Sequence, residues 1–168
     1  MAAEGQNGSK MLDEMPEYRI FELLKKYHYT LTTAESATGG MIASTLINVP
    51  GISAFFTEGY VTYSNEAKVK MIHVKPETIE RYGVVSAETA ADMAVSAART
   101  ADTDAALSVT GVAGPVGLVY IGCCLHGRVV TERHLFAGDR MQVRKSATDA
   151  ALHLLARTIT EEGTICES

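Results

Sequence analysis

Apolar positions along this chain switch between the helical period of about 3.6 residues and the strand period of about 2. Ile20, Phe21, Leu23, Leu24 and Tyr27 share one helical face and predict a helix over residues 17–27. Residues 29–34 (YTLTTA) are short and β-branched, which predicts a strand. Glu35-Ser36-Ala37-Thr38-Gly39-Gly40 breaks that pattern, and helical spacing resumes over residues 41–47. Val49-Pro50-Gly51 is a turn. Residues 53–63 read as one strand with Gly59 as a bulge. Ser64-Asn65 forms a turn or helix cap leading into residues 66–71. Pro76 opens a short helical turn that Gly83 stops. Ser86 caps a long alanine-rich helix over residues 87–100.

Residues 104–109 (DAALSV) predict a buried strand running into a Gly-rich loop, Thr110 to Pro115. Residues 118–125 and 128–136 flank His126-Gly127, a two-residue turn of the kind that closes a β-hairpin. Val143, Ala147, Ala150, Ala151, Leu154, Leu155 and Thr158 line one face of a last helix, with Asp139 as its N-cap. The predicted order is α-β-α-β-α-α-β-β-β-α. Alternating helices and strands favour an α/β sheet covered by helices on both faces, and the hairpin makes that sheet mixed. Residues 1–16 are largely polar and aperiodic and read as a flexible leader, leaving 17–168 as one domain.

Composition narrows what such a domain does. The 168 residues suit a single domain with its own core. With 20 acids against 15 bases the net charge is −5. No basic run is present, which disfavours a nucleic-acid or membrane-surface partner but leaves room for one local phosphate contact. The absence of Trp removes the best stacking platform for single-stranded nucleic acid. Cys123, Cys124 and Cys166 are odd in number, with two adjacent, which fits a reducing, cytoplasmic compartment. His28, His73, His126, His134 and His153 stand singly, without metal-ligand spacing, so neither a metal nor another cofactor is expected. No apolar run approaches the roughly 18 residues of a membrane span.

Four segments can carry chemistry, each with a plain structural alternative. Ser36 sits where a strand passes into a helix, so it can project its hydroxyl from a sharp turn beside backbone N–H donors. Alternatively, Ser36 or Thr38 simply caps that helix. Lys68 lies one helical turn after Ser64, and a buried lysine can act as base for a serine nucleophile, with Tyr63 holding or relaying the proton. Its alternative is a solvated lysine, with Ser64 as cap. Thr110 to Pro115 can let backbone approach a phosphate or polar ligand, or can merely turn the chain. Arg140, with Arg144 one turn on, can clamp a phosphate or carboxylate, or be solvated beside a cap.

In order, the chain carries Thr33-Ala34-Glu35-Ser36-Ala37-Thr38-Gly39-Gly40, then Val49-Pro50-Gly51-Ile52-Ser53-Ala54-Phe55-Phe56, then Gly59-Tyr60-Val61-Thr62-Tyr63-Ser64-Asn65-Glu66-Ala67-Lys68. Gly83-Val84-Val85-Ser86, Val109-Thr110-Gly111-Val112-Ala113-Gly114-Pro115, Val116-Gly117-Leu118-Val119-Tyr120-Ile121 and Gly138-Asp139-Arg140 follow. This series resembles the CinA C-terminal domain family over nearly the whole chain. The resemblance implies a three-layer α/β/α sandwich with a mixed central sheet, commonly dimeric. It implies an amidohydrolase that converts nicotinamide mononucleotide to nicotinic acid mononucleotide and ammonia in pyridine nucleotide salvage. By that resemblance Ser36 is the nucleophile, Lys68 its general base and Tyr63 an assistant. The substrate would meet Thr38, Gly39, Gly40, Ser64, Asn65, Thr110, Gly111, Gly114 and Arg140. The Thr38-Gly39-Gly40 amides would hold the oxyanion, and Arg140 the phosphate.

Two departures stand out. Ala37 replaces the family's usual cysteine, which this mechanism does not require. After Gly114-Pro115 the family usually carries a Gly/Thr/Glu/Lys/Pro-rich loop, whereas here Pro115 meets Val116-Gly117 directly. A Gly-rich loop tip is where order fails, so the first reading is a mobile stretch missing from the chain. A true loss would leave the pocket open on one side. The rival to the enzyme is a noncatalytic nucleotide-binding or protein-interaction module of the same fold. A different amidase or esterase using the same serine and lysine is the third reading.

Overall fold

The computed structural model describes residues 15–166. The leader expected over residues 1–16 lies outside the described residues, except that Pro16 already opens a helix. The elements run α1 (Pro16–Tyr27), β1 (Leu31–Glu35), α2 (Met41–Leu46), a 3-10 turn (Ile52–Ala54), β2 (Tyr60–Val61), α3 (Asn65–Ile72), α4 (Pro76–Tyr82) and α5 (Ala87–Ala101). They continue with β3 (Ala105–Gly111), β4 (Gly117–Leu125), β5 (Arg128–Phe136) and α6 (Arg140–Cys166).

The five strands form one mixed sheet in the order β2-β1-β3-β4-β5. β1 pairs in parallel with both β2 and β3, and the β3–β4 and β4–β5 pairs are antiparallel. The β4–β5 hairpin turns on His126-Gly127, with φ of 50° and 81°, as the sequence predicts. Side-chain alternation sends β3 and β4 into two cores. Leu107, Val109, Ile121 and Cys123 pack with α1, α2 and α6, whereas Ala106 and Cys124 pack with α5. Helices therefore cover both faces, and the α/β layering with a mixed sheet is as expected.

The predicted strand over residues 53–63 is a correction. It forms the 3-10 turn and the two-residue β2, because Phe55 and Phe56 do not alternate along a strand. Phe55 stacks edge-on against Phe21, and Phe56 bridges to Leu31. The residues after Ser64 form a full helix, so three helices rather than two separate β2 from β3.

One glycine marks a close approach between layers. A Cβ at Gly122 would lie 2.5 Å from both the Ala90 carbonyl oxygen and Ser108 Oγ, where α5 rests on β4. Gly122→Ala is expected to destabilise the fold by about 1–3 kcal/mol, readable in a urea titration. Among the described residues, no helix is long and apolar enough to cross a membrane.

Candidate active site

The carboxyl ends of β2, β1 and β3 lie side by side, the end of a parallel sheet where ligands bind in open α/β folds. Ser36 follows β1 directly, and its N–H donates to the Val109 carbonyl of β3 at 3.0 Å. Thr110 and Gly111 end β3 beside it. Past β2 the chain passes through Thr62, whose N–H donates to Glu35 O at 2.8 Å, into α3. Ser64 caps α3 by accepting from Ala67 N at 3.0 Å. That cap fixes the first turn of the helix that delivers Lys68 to Ser36.

Lys68 is fully buried, with 0% of its surface exposed. Its Nζ donates to Ser36 Oγ at 3.2 Å and to the Thr62 carbonyl at 2.9 Å. Burial pulls its pKa below the ordinary lysine range, and the nearby Glu66 carboxylate partly opposes that shift. The solvated-lysine alternative fails here. A fully buried amine touching a serine hydroxyl has the contact and the pKa direction that a base needs.

Ser36, Tyr63, Asn65, Lys68, Thr110, Gly111 and Arg140 line one cavity of about 350 Å³, together with Ala37, Val84, Val85, Val112 and Ala113. Thr38, Gly39, Gly40, Ser64 and Gly114 do not line it. Tyr63 stands at the mouth and is largely exposed. Its hydroxyl accepts from Arg140 Nη2 at 2.9 Å, so its partner is Arg140 rather than Lys68 or Ser36. Arg140 Nη1 donates to the Ala113 carbonyl at 3.1 Å. Thr110 spends its hydroxyl on the Val84 carbonyl at 2.7 Å, tying the loop before α5 to the site. Asp139 does cap α6, accepting from Gln142 N at 2.9 Å while Gln142 Oε1 accepts from Asp139 N at 2.7 Å.

Of the Thr38-Gly39-Gly40 amides expected to hold the oxyanion, the two glycine amides are already committed and are a correction. Gly39 N donates to Ser36 O at 3.0 Å, and Gly40 N to Glu35 Oε2 at 3.0 Å. Glu35 is wholly buried and also accepts from Ile42 N and Ala43 N, so it satisfies the start of α2. Ala37 N and Thr38 N have no acceptor among the described residues. Arg144 is a second correction. It does not face an open anion site, because Nε donates to Ala37 O at 3.1 Å and Nη2 to Thr38 O at 3.0 Å. No role for Glu35 is predicted from the sequence, although an acid one residue before the turn serine is a usable signal. Chemically, the cavity holds a serine hydroxyl in contact with a buried amine, a pair of the kind that can act as nucleophile and base, and one guanidinium at its mouth. Among the described residues, no group of three or more His, Cys, Asp or Glu could hold a metal ion.

Pro115 and Val116 join β3 to β4 through a short link, with Val112 N donating to Leu118 O and Leu118 N to Val116 O, both at 2.9 Å. Val112, which lines the cavity, is 52% exposed, so the cavity is open to solvent on that side.

The CinA C-terminal domain matches residues 13–159. A putative competence-damage inducible protein of Alkaliphilus metalliredigens is 48% identical over 160 residues, covering 90% of this chain and 38% of that protein. A CinA-like protein of Kosmotoga olearia is 43% identical, with the same coverage of 90% and 38%. The chain thus spans well under half the length of these relatives. A crystal structure of a CinA superfamily protein from Klebsiella pneumoniae superposes with a TM-score of 0.84 at 30% identity, covering 89% of this chain and 98% of that one. One from Escherichia coli gives 0.79 at 35%, covering 84% and 89%. Matched across most of its length and in its fold, this chain belongs to the CinA C-terminal domain family.

Proposed function

We propose that this domain is an amidohydrolase that converts nicotinamide mononucleotide to nicotinic acid mononucleotide and ammonia. The observation that carries the reading is the buried 3.2 Å contact between Lys68 Nζ and Ser36 Oγ. Neutral Lys68 takes the Ser36 proton as Oγ attacks the carboxamide carbon. The resulting ammonium then gives that proton to the departing nitrogen, which leaves as ammonia. Water attacks the acyl ester next, loses a proton to Lys68, and the nicotinate leaves as Ser36 recovers its hydrogen. The nucleotide phosphate sits against Arg140 at the mouth. The setting is cytoplasmic pyridine nucleotide salvage, with the domain acting as a homodimer and requiring no cofactor.

Purified protein is expected to release ammonia from the mononucleotide, with or without a chelator, and to leave free nicotinamide largely untouched. Lack of release from the mononucleotide would refute the reading. Arg140→Ala is expected to raise KM for the mononucleotide about 10- to 100-fold, the worth of a charge-assisted hydrogen bond. Nicotinamide riboside, which lacks the phosphate, should be insensitive to that change. Equal effects on both substrates would remove Arg140 from the phosphate.

A noncatalytic nucleotide-binding or protein-interaction module is favoured by one observation, the open side of the cavity at Val112. Tight mononucleotide binding in calorimetry without ammonia release would select it.

A further inference from the structure

We infer that Arg144 is a positioning residue that sets the oxyanion site of Ser36, and that this site consists of the Ala37 and Thr38 N–H groups. The inference rests on the reading of Ser36 as a nucleophile. A tetrahedral intermediate on Ser36 needs donors close by, and the neighbouring amides divide sharply. Gly39 N is committed to Ser36 O, and Gly40, Ile42 and Ala43 N to Glu35. Ala37 N and Thr38 N are the two left without an acceptor among the described residues. Ala37 lines the cavity beside Ser36, and Thr38 is fully buried. A buried N–H without an acceptor costs free energy unless something fills the role, and the oxyanion is a group that would.

Arg144 decides where the Thr38 N–H points, while Gly39 N, by holding the Ser36 carbonyl, fixes the Ala37 N–H of that peptide. A trans peptide holds its C=O and N–H on opposite sides of one plane. Arg144 Nε holds the Ala37 carbonyl at 3.1 Å, so the Thr38 N–H of the same peptide faces away from the guanidinium. Nη2 holds the Thr38 carbonyl at 3.0 Å, so the next peptide cannot flip and take that role from Thr38. Arg144 does not line the cavity. It acts from behind the turn, and its charge on the carbonyl makes the Thr38 N–H a stronger donor. Glu35 holds the start of α2 on the other side, so the turn is pinned from both ends.

The test compares wild type with Arg144→Lys and Arg144→Met by two readouts. In steady state, kcat for the mononucleotide should fall about 10- to 100-fold in both variants with KM nearly unchanged, the pattern of an interaction made only in the transition state. Labelling of Ser36 by an alkyl fluorophosphonate should slow by a similar factor. In that reaction the Ser36 oxygen bonds phosphorus as its proton passes to Lys68 and fluoride leaves, while the phosphoryl oxygen occupies the oxyanion position. Melting curves accompany both variants, and Arg144→Lys keeps the charge if Arg144→Met fails to fold. Unchanged kcat and labelling with a lowered Tm would make Arg144 merely structural and overturn the inference. A raised KM at constant kcat would make it a substrate clamp, with the same consequence. A folded wild type that never labels at Ser36 overturns the nucleophile reading itself, and the inference with it.

Discussion

Lys68→Met should abolish ammonia release while raising the melting temperature. The activity loss follows because methionine cannot take the Ser36 proton or return one to the leaving nitrogen, and a drop of about four orders of magnitude or more in kcat is expected for losing a member of such a unit. The stability gain follows from burial. The amine is fully enclosed, and its pKa lies below the ordinary lysine value of 10.5, with desolvation the main cause. Between the folded and unfolded values, the unfolded chain binds more protons than the native one. Stability there rises with pH, so native wild type is penalised at pH 7. Methionine fills the same channel without that penalty and leaves no unpaired charge behind, although the Thr62 carbonyl loses a donor. A net gain of about 1 kcal/mol, or about 2–4 °C in Tm, is expected at neutral pH. The difference should shrink as pH approaches the ordinary lysine value. A variant that melts lower than wild type at pH 7 would mean that Lys68 holds the fold together rather than straining it.

Ser36→Ala should cost as much activity with almost no change in stability. The side chain is small, and Ser36 is fixed through its backbone N–H on Val109, which alanine keeps. Residual turnover should be at least about four orders of magnitude below wild type, since only bound water next to Lys68 could replace the hydroxyl. Mononucleotide affinity should survive, because Asn65, Arg140 and the Thr110–Gly111 backbone remain. Calorimetric binding beside an ammonia assay separates the two effects. Undiminished turnover would remove Ser36 from the chemistry.

Much of this layout could be read from the residues, for identifiable reasons. α1 and α5 have one clear apolar face, and the His126-Gly127 turn defines its hairpin without tertiary help. The stretch from Ser53 to Tyr63 misleads because Phe55 and Phe56 look like strand residues. Their partners, Phe21 and Leu31, lie outside any local window. Within the site, Ser36 and Lys68 were accessible as motif residues, but 32 positions of chain hide their contact. Lysine as a residue type predicts exposure, so the burial of Lys68 could only come from the fold. Arg144 carried a misleading signal. Its place one turn after Arg140 suggested a shared anion, yet α6 aims it at the back of the Ser36 turn. The glycines after Thr38 pointed to an oxyanion site for a sound local reason, but the Glu35 carboxylate and the Ser36 carbonyl already hold their amides.

The serine–lysine reading is tested most directly by ammonia release from nicotinamide mononucleotide, followed from pH 6 to pH 9 with purified wild-type protein. A base whose pKa burial has pulled below the lysine range predicts release that climbs with pH, by up to about tenfold per unit below that pKa, as the neutral amine accumulates. A flat profile across those three units, or no release at any pH, would contradict it.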